Sequence, residues 1–141
     1  MNNLFTFTLT QTENVGNIQN RIFIDFQRDK YFLENKTECS ICFKLVGEKE
    51  ILKEKFEISE ATKLSEALQH IISKLGEFPT KGVPEIKLSI ENKFLLIMRY
   101  TNEWNYNLKI GTSVFRFQPA DLQQLNSLVI KALEINNSQI L

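Results

Sequence analysis

Cys39 and Cys42 form a single C-x-x-C, and with His70, the only histidine, they are the obvious candidates to bind a soft metal. A structural zinc site takes four ligands, and this set stops at three. The cysteines sit in strand-like sequence, where side chains three residues apart point to opposite faces and cannot converge on one ion. A redox dithiol would need its first thiol at a helix N-terminus, and here a strand pattern continues instead. The pair therefore reads as structural thiols. His70 lies beside the apolar stripe of a helical segment, with no serine or cysteine placed next to it for a general base to activate. It reads as the rim of a packed helix. The five glycines are widely separated, so no phosphate-cradling loop is present, and no paired-carboxylate motif stands out. No catalytic constellation, metal site or cofactor is expected, and an enzyme is disfavoured.

The remaining chemistry is cationic. If Ile86, Leu88, Ile90, Phe94, Leu96, Met98, Tyr106, Leu108, Ile110, Phe115 and Phe117 face inward, the opposite face of their strands carries Lys87, Lys93, Arg99, Lys109 and Arg116 against Glu91. That is a local excess of about +4 in a chain whose 17 basic and 17 acidic residues balance. Trp104 and Tyr106 sit in or beside the adjoining loop, and Tyr106 has an inward register. The first half shows a weaker version, with Arg21, Phe23, Lys44, Lys53 and Lys55 outward, tempered by Asp25 and Glu57. Cations that track phosphates beside exposed rings that stack on bases are what single-stranded nucleic acid requires. Lysine and arginine also simply keep the wet face of an antiparallel sheet soluble. Leu95 and Ile97 on the same face admit a sheet-to-sheet or subunit contact.

The elements that must position these residues follow from two similar sentences. Residues 113–133 open as a strand, with Phe115 and Phe117 alternating against polar neighbours. They turn at Pro119, whose missing N–H is not needed in a first helical turn, and Asp121 suits the helix dipole there. Leu122, Leu125, Val129, Ala132 and Leu133 then share one helical face. Residues 55–75 repeat this, with Phe56 and Ile58 alternating, Ser59 as a cap candidate, Leu64, Ala67, Leu68, Ile71, Ile72 and Leu75 at helical spacing, and Gly76 as the stop. The two endings superpose at a spacing of about 58 to 59 residues, counted from Phe56 to Phe115 and from Leu64 to Leu122.

Upstream of each helix the period-2 pattern gives strands at residues 4–10, 21–27, 40–46 and 50–58, then at 85–91, 94–101, 106–110 and 113–118. Residues 11–20 read as a polar connection, and 31–33 as an apolar island that either dips onto the core or extends the strand. Residues 102–105 read as a loop carrying Trp104. The expected fold is α+β: two β-β-β-β-α units with antiparallel sheets and one helix each, pseudo-duplicated within a single domain of 1–141. The units span 1–76 and 84–135, joined by a linker over 77–83.

At 141 residues, 43% apolar and 24% charged, the chain has the size and make-up of one globular domain, and its 11 phenylalanines favour strands and a bulky core. The opening MNNLFTFTLTQ lacks a basic region and a long apolar run, and the longest apolar run, 94–98, is far short of a membrane span. Two cysteines make no disulfide framework, so a cytoplasmic address is expected, with the two N-x-[ST] matches at Asn35 and Asn136 taken as chance.

RIFIDF (21–26), KFLLIMRY (93–100) and the strand-to-helix closure FRFQPADLQQLNSLV (115–129) together resemble the whirly-type group of single-stranded nucleic-acid binders, which includes the Whirly and PUR-repeat proteins. The resemblance implies nucleic acid on the sheets, with the helices packed behind them or in subunit contacts. It leads to an expected single-stranded DNA- or RNA-binding protein, with Lys87, Lys93, Arg99, Lys109 and Arg116 on phosphates and Trp104 stacking on bases. The alternative is a protein-interaction or assembly module, including a homo-oligomer, without nucleic-acid affinity.

Overall fold

The computed structural model describes residues 7–47, 49, 51–82 and 84–138. Two four-stranded antiparallel sheets are each followed by one helix: β1 (Thr8–Ile18), β2 (Ile22–Tyr31), β3 (Lys36–Val46), β4 (Ile51–Glu57) and α1 (Ile58–Lys74), then β5 (Glu85–Ile90), β6 (Phe94–Tyr100), β7 (Trp104–Ile110), β8 (Ser113–Phe117) and α2 (Pro119–Ser138). Strand order is sequential in both sheets, β1-β2-β3-β4 and β5-β6-β7-β8. The fold is α+β, built from two similar β-β-β-β-α units.

The inward register is the one that hydrophobic alternation demands. In the second sheet Leu88, Leu96, Leu108 and Phe115 stand opposite one another across all four strands. Ile24 with Phe43, and Phe26 with Ile41 and Phe56, do the same in the first. Both inner faces and the apolar stripes of both helices merge into one hydrophobic core. Phe43, Phe56 and Phe94 join the units at its centre, with ring centroids 4.7, 6.1 and 6.4 Å apart in tilted and edge-on contacts. Helix α2 leans on β1 and β2 of the other unit as well as on α1. Gly16 makes this approach possible, because a side chain there would collide with Leu128.

Several boundaries differ from expectation for local physical reasons. β1 runs on through residues 11–18, which read as a connection, because β2 supplies a ladder, interrupted by one bulge between Asn14 and Gly16, that needs no apolar alternation. The turn falls at Gln19 and Asn20, both with positive φ (57° and 55°), closed by the Arg21 N–H on the Ile18 carbonyl. The expected strand residues 4–6 lie outside the described residues. Tyr31 extends β2, and Phe32 and Leu33 form the exposed turn into β3. Helix α1 starts one residue before the expected cap Ser59: Glu57 is the N-cap, and the Glu60 carboxylate reaches back to accept from its N–H at 2.9 Å. Asp121 accepts from the Gln118 N–H at 2.7 Å, which tightens the start of α2. Among the described residues, no helix is long and apolar enough to cross a membrane.

Candidate interaction surfaces

The outer face of the second sheet consists of three rows. Glu85, Arg99 and Asn105 form the first; Lys87, Ile97, Asn107 and Arg116 the second; Ser89, Leu95, Lys109 and Val114 the third. Alternation alone puts them there, since each flanks an inward residue, buried on β6, β7 and β8 and partly buried on β5. The face therefore holds four of the five expected cations: Lys87, Arg99, Lys109 and Arg116. A carboxylate beyond the expected set, Glu85, stands among them. Its oxygens lie 2.5 Å from the Arg99 guanidinium and 3.4 Å from the Lys87 ammonium. The Arg99 hydrogen bond, and with it Lys87, holds the Glu85 carboxyl below the usual carboxylate range. Arg116 donates at 3.5 Å to the Asn105 side chain. Between the cations run half-buried Leu95 and Ile97 and exposed Val114.

The fifth cation is elsewhere. Lys93 belongs to the β5–β6 turn rather than to the face, and swings to the junction of β4 and α1. There it donates to the Lys55 carbonyl at 2.9 Å, pairs with Glu60 at 3.1 Å and sits 5.7 Å from the centre of the Phe56 ring. Burial works to raise the Glu60 pKa, but the Glu57 N–H and Lys93 outweigh it and bring the pKa below its ordinary value. The ring expected in a loop, Trp104, is instead the first residue of β7 and shares the inward register of Tyr106. Its indole N–H donates to the Leu75 carbonyl at the end of α1 at 3.2 Å, and its ring packs edge-on against Tyr100. Tyr106 is buried as its register required, and burial pushes its hydroxyl pKa up. Neither ring stands on the cationic face. The signal for this was present in the alternation 104-106-108-110.

On the first sheet the expected residues divide likewise. Phe23, Lys44 and Lys53 form one outward row, with the Lys44 ammonium 5.2 Å from the Phe23 ring. Arg21 lies in the β1–β2 turn and reaches the second unit, 5.0 Å from the Phe115 ring. Lys55 is engaged by Asp29 at 3.2 Å. Asp29 is only 4% exposed and accepts also from Thr10 and Gln27. Burial alone would raise its pKa, yet these three donors more than offset it and leave the carboxyl below its ordinary value. A hollow of about 640 Å3 opens beside this network, bordered by Lys53, Glu57 and Lys93. Within its lining Asp29 and Lys55 are spent on one another, while Glu38 pairs with Lys36 and Lys93 with Glu60.

The thiols behave as structural groups. Cys42 is buried, which raises its pKa, and donates to the Gln27 side chain at 3.1 Å. Cys39 has the opposite register. Among the described residues, no three His, Cys, Asp or Glu side chains gather into a group able to hold a metal ion.

One surface was not anticipated. The distal parts of β1, β2 and β3 project beyond the core, and every residue from Thr8 to Asn14 is exposed. Phe7, Leu9, Phe32 and Leu33 cluster at the tip, with Leu33 68% exposed and the Phe7 and Phe32 rings 4.9 Å apart. The threonine-rich run 8–12 was the available signal, because β-branched residues favour a strand even without a core face. No protein-family model matches this sequence, and no curated protein matches it.

Proposed function

We propose that this protein is an interaction module that docks a partner protein on the outer face of its second sheet. The observation that carries this reading is the make-up of that face: an aliphatic pair, Leu95 and Ile97 on the interior strand β6, set among Lys87, Arg99, Lys109 and Arg116, with Val114 beyond Lys109 on the edge strand β8. Apolar side chains at the centre and charges around them are the anatomy of a protein interface. The cations favour a partner segment that is acidic as well as apolar, because complementary charge speeds encounter and rejects wrong partners. Among the described residues no helix covers this face, whereas the inner face packs against α1 and α2.

The experiment is affinity capture from extract of the source cells with wild-type protein, Ile97→Glu and Lys109→Glu, each eluate divided and half treated with nuclease. The reading expects a discrete protein retained by wild type, lost with both variants and indifferent to nuclease. Capture unchanged by Ile97→Glu ends it.

A second reading, single-stranded nucleic-acid binding as the whirly-type resemblance implies, is favoured by the same four cations against one carboxylate. In that case phosphate contacts supply nearly all the affinity, since Trp104 and Tyr106 turn inward. Binding should then fall steeply with salt and depend little on sequence. Oligonucleotide titration at low salt tests it, and no signal at tens of micromolar protein removes it.

A further inference from the structure

The four edges of the two sheets are not protected equally. β4 is short, carries Lys53, Glu54, Lys55 and Glu57, and has its Lys55 carbonyl taken by Lys93. β5 and β8 have six and five residues, with Glu85 and Lys87 on one and Arg116 on the other. Charged side chains and shortness are how sheets normally discourage edge pairing. β1 has neither device. Its segment Thr8–Asn14 contains no proline and no lysine or arginine, its one charge is Glu13, and the bulge that would deflect an incoming strand begins only between Asn14 and Gly16. Among the described residues, no strand pairs with its outer side.

The direction of the free groups follows from one hydrogen bond. Phe32 N–H donates to the Phe7 carbonyl, so these two residues form a hydrogen-bonded pair. Alternation then turns the backbone groups of Leu9, Gln11 and Glu13 toward β2 and those of Thr8, Thr10, Thr12 and Asn14 to the open side.

We infer that this edge pairs with the same edge of a second copy, antiparallel and centred on Gln11, joining two first sheets into one continuous eight-stranded sheet. The occupant is specified by self-complementarity. With Gln11 facing Gln11, Thr10 meets Thr12 and Thr8 meets Asn14 of the other copy, so every open backbone group of the segment finds a partner, about eight hydrogen bonds in all. Thr10 and Thr12 share a face, and cross-strand threonine pairs are favourable. Glu13 comes opposite Leu9 of the other copy, whose own cross-strand neighbour is Lys30, so the one charge on the segment approaches an opposite one. A register centred on Thr10 makes fewer bonds and sets Glu13 against Phe7. A strand pair of this length lies at the low end of stable interfaces, below roughly 1,200 Å2, so the dimer is reversible. This edge belongs to the other sheet from the docking face proposed above, and neither depends on the other.

The test is analytical ultracentrifugation of the full chain over a concentration series, with Thr12→Pro, together with oxidative cross-linking of Gln11→Cys and Leu33→Cys in a Cys39→Ser background. The Thr12 N–H faces the open side, so proline there leaves the β1–β2 ladder intact and removes only intermolecular bonds. Wild type should show a concentration-dependent dimer that Thr12→Pro weakens at least about tenfold, roughly 1.4 kcal/mol. Gln11→Cys should form a covalent dimer, because a non-hydrogen-bonded pair brings Cα atoms to about 4.5 Å, within disulfide reach; Leu33→Cys should not. The cross-link decides the matter even if Thr12→Pro fails to fold. A wild type that stays monomeric to its solubility limit overturns the inference, as does a dimer indifferent to Thr12→Pro in a folded variant, or cross-linking at position 33 but not at 11.

Discussion

Leu96 and Ile97 are adjacent in β6, an interior strand, yet their side chains have opposite fates. Leu96 is fully buried between Leu88 and Leu108, while Ile97 lies half-buried on the outer face between Lys87 and Asn107. Truncating a fully buried leucine costs the lost transfer energy plus a cavity, about 3 kcal/mol for Leu96→Ala. In a chain of this size each 1 kcal/mol is worth roughly 3 °C, so Tm should fall by about 9 °C. Ile97→Ala leaves no enclosed cavity, and the area it uncovers already borders water, so its cost should stay near 1 kcal/mol, about 3 °C. Thermal and urea unfolding followed by far-ultraviolet circular dichroism measure both, and the urea m-value should be unchanged in each. Equal losses for the two variants would mean that something packs over the outer face, and the docking surface inferred for it would not exist. A larger loss for Ile97→Ala would reverse the register itself.

Other expectations follow from particular contacts. Asp29→Ala strips the acceptor from Thr10, Gln27 and Lys55 and should cost about 1–3 kcal/mol near neutral pH. Because its folded pKa lies below the unfolded value of 3.8, Asp29's contribution is fully present above that value and lost as pH falls through the folded one, so the gap between wild type and variant should close as the solution is acidified from about pH 5 to pH 2 in urea titrations. Gly16→Val should drive Leu128 from its seat and lower stability by about 1–3 kcal/mol, whereas the same change at Gly76, where nothing stands within 4 Å of a new side chain, should cost less. Glu85→Gln releases Lys87 and Arg99 from their shared carboxylate and should tighten binding to any acidic partner or polyanion, with a steeper salt dependence; an unchanged salt slope would show those two residues idle.

The fold was largely legible because its core alternates cleanly. Phe115, Phe117 and the leucines of α2 obey two periods in succession, and the first unit repeats them. What sequence could not supply was where strands end without a core to mark them: Thr8–Asn14 is exposed on both faces and held by its ladder with β2 and by side-chain bonds from Thr10 and Asn14 to Asp29 and Asp25, which leave no hydrophobic signature. The cationic face was legible in four of its five members. Lys93 escaped because a turn residue is not bound by strand alternation, and a carbonyl and a carboxylate from the other unit capture it. Glu85 was overlooked although it has the parity of Lys87. Trp104 reads as a loop residue because Asn102 to Asn105 is polar around it, although it shares the parity of Tyr106, Leu108 and Ile110; its hydrogen bond to the Leu75 carbonyl fixes the inward seat.

Whether the outer face of the second sheet receives a protein partner is read out by a photo-cross-linking amino acid at position 97, compared with one at exposed position 70 on α1, in the source cells. A discrete protein adduct should form at 97, survive nuclease and be missing at 70. No adduct at 97, or one that nuclease destroys, would contradict docking on this face.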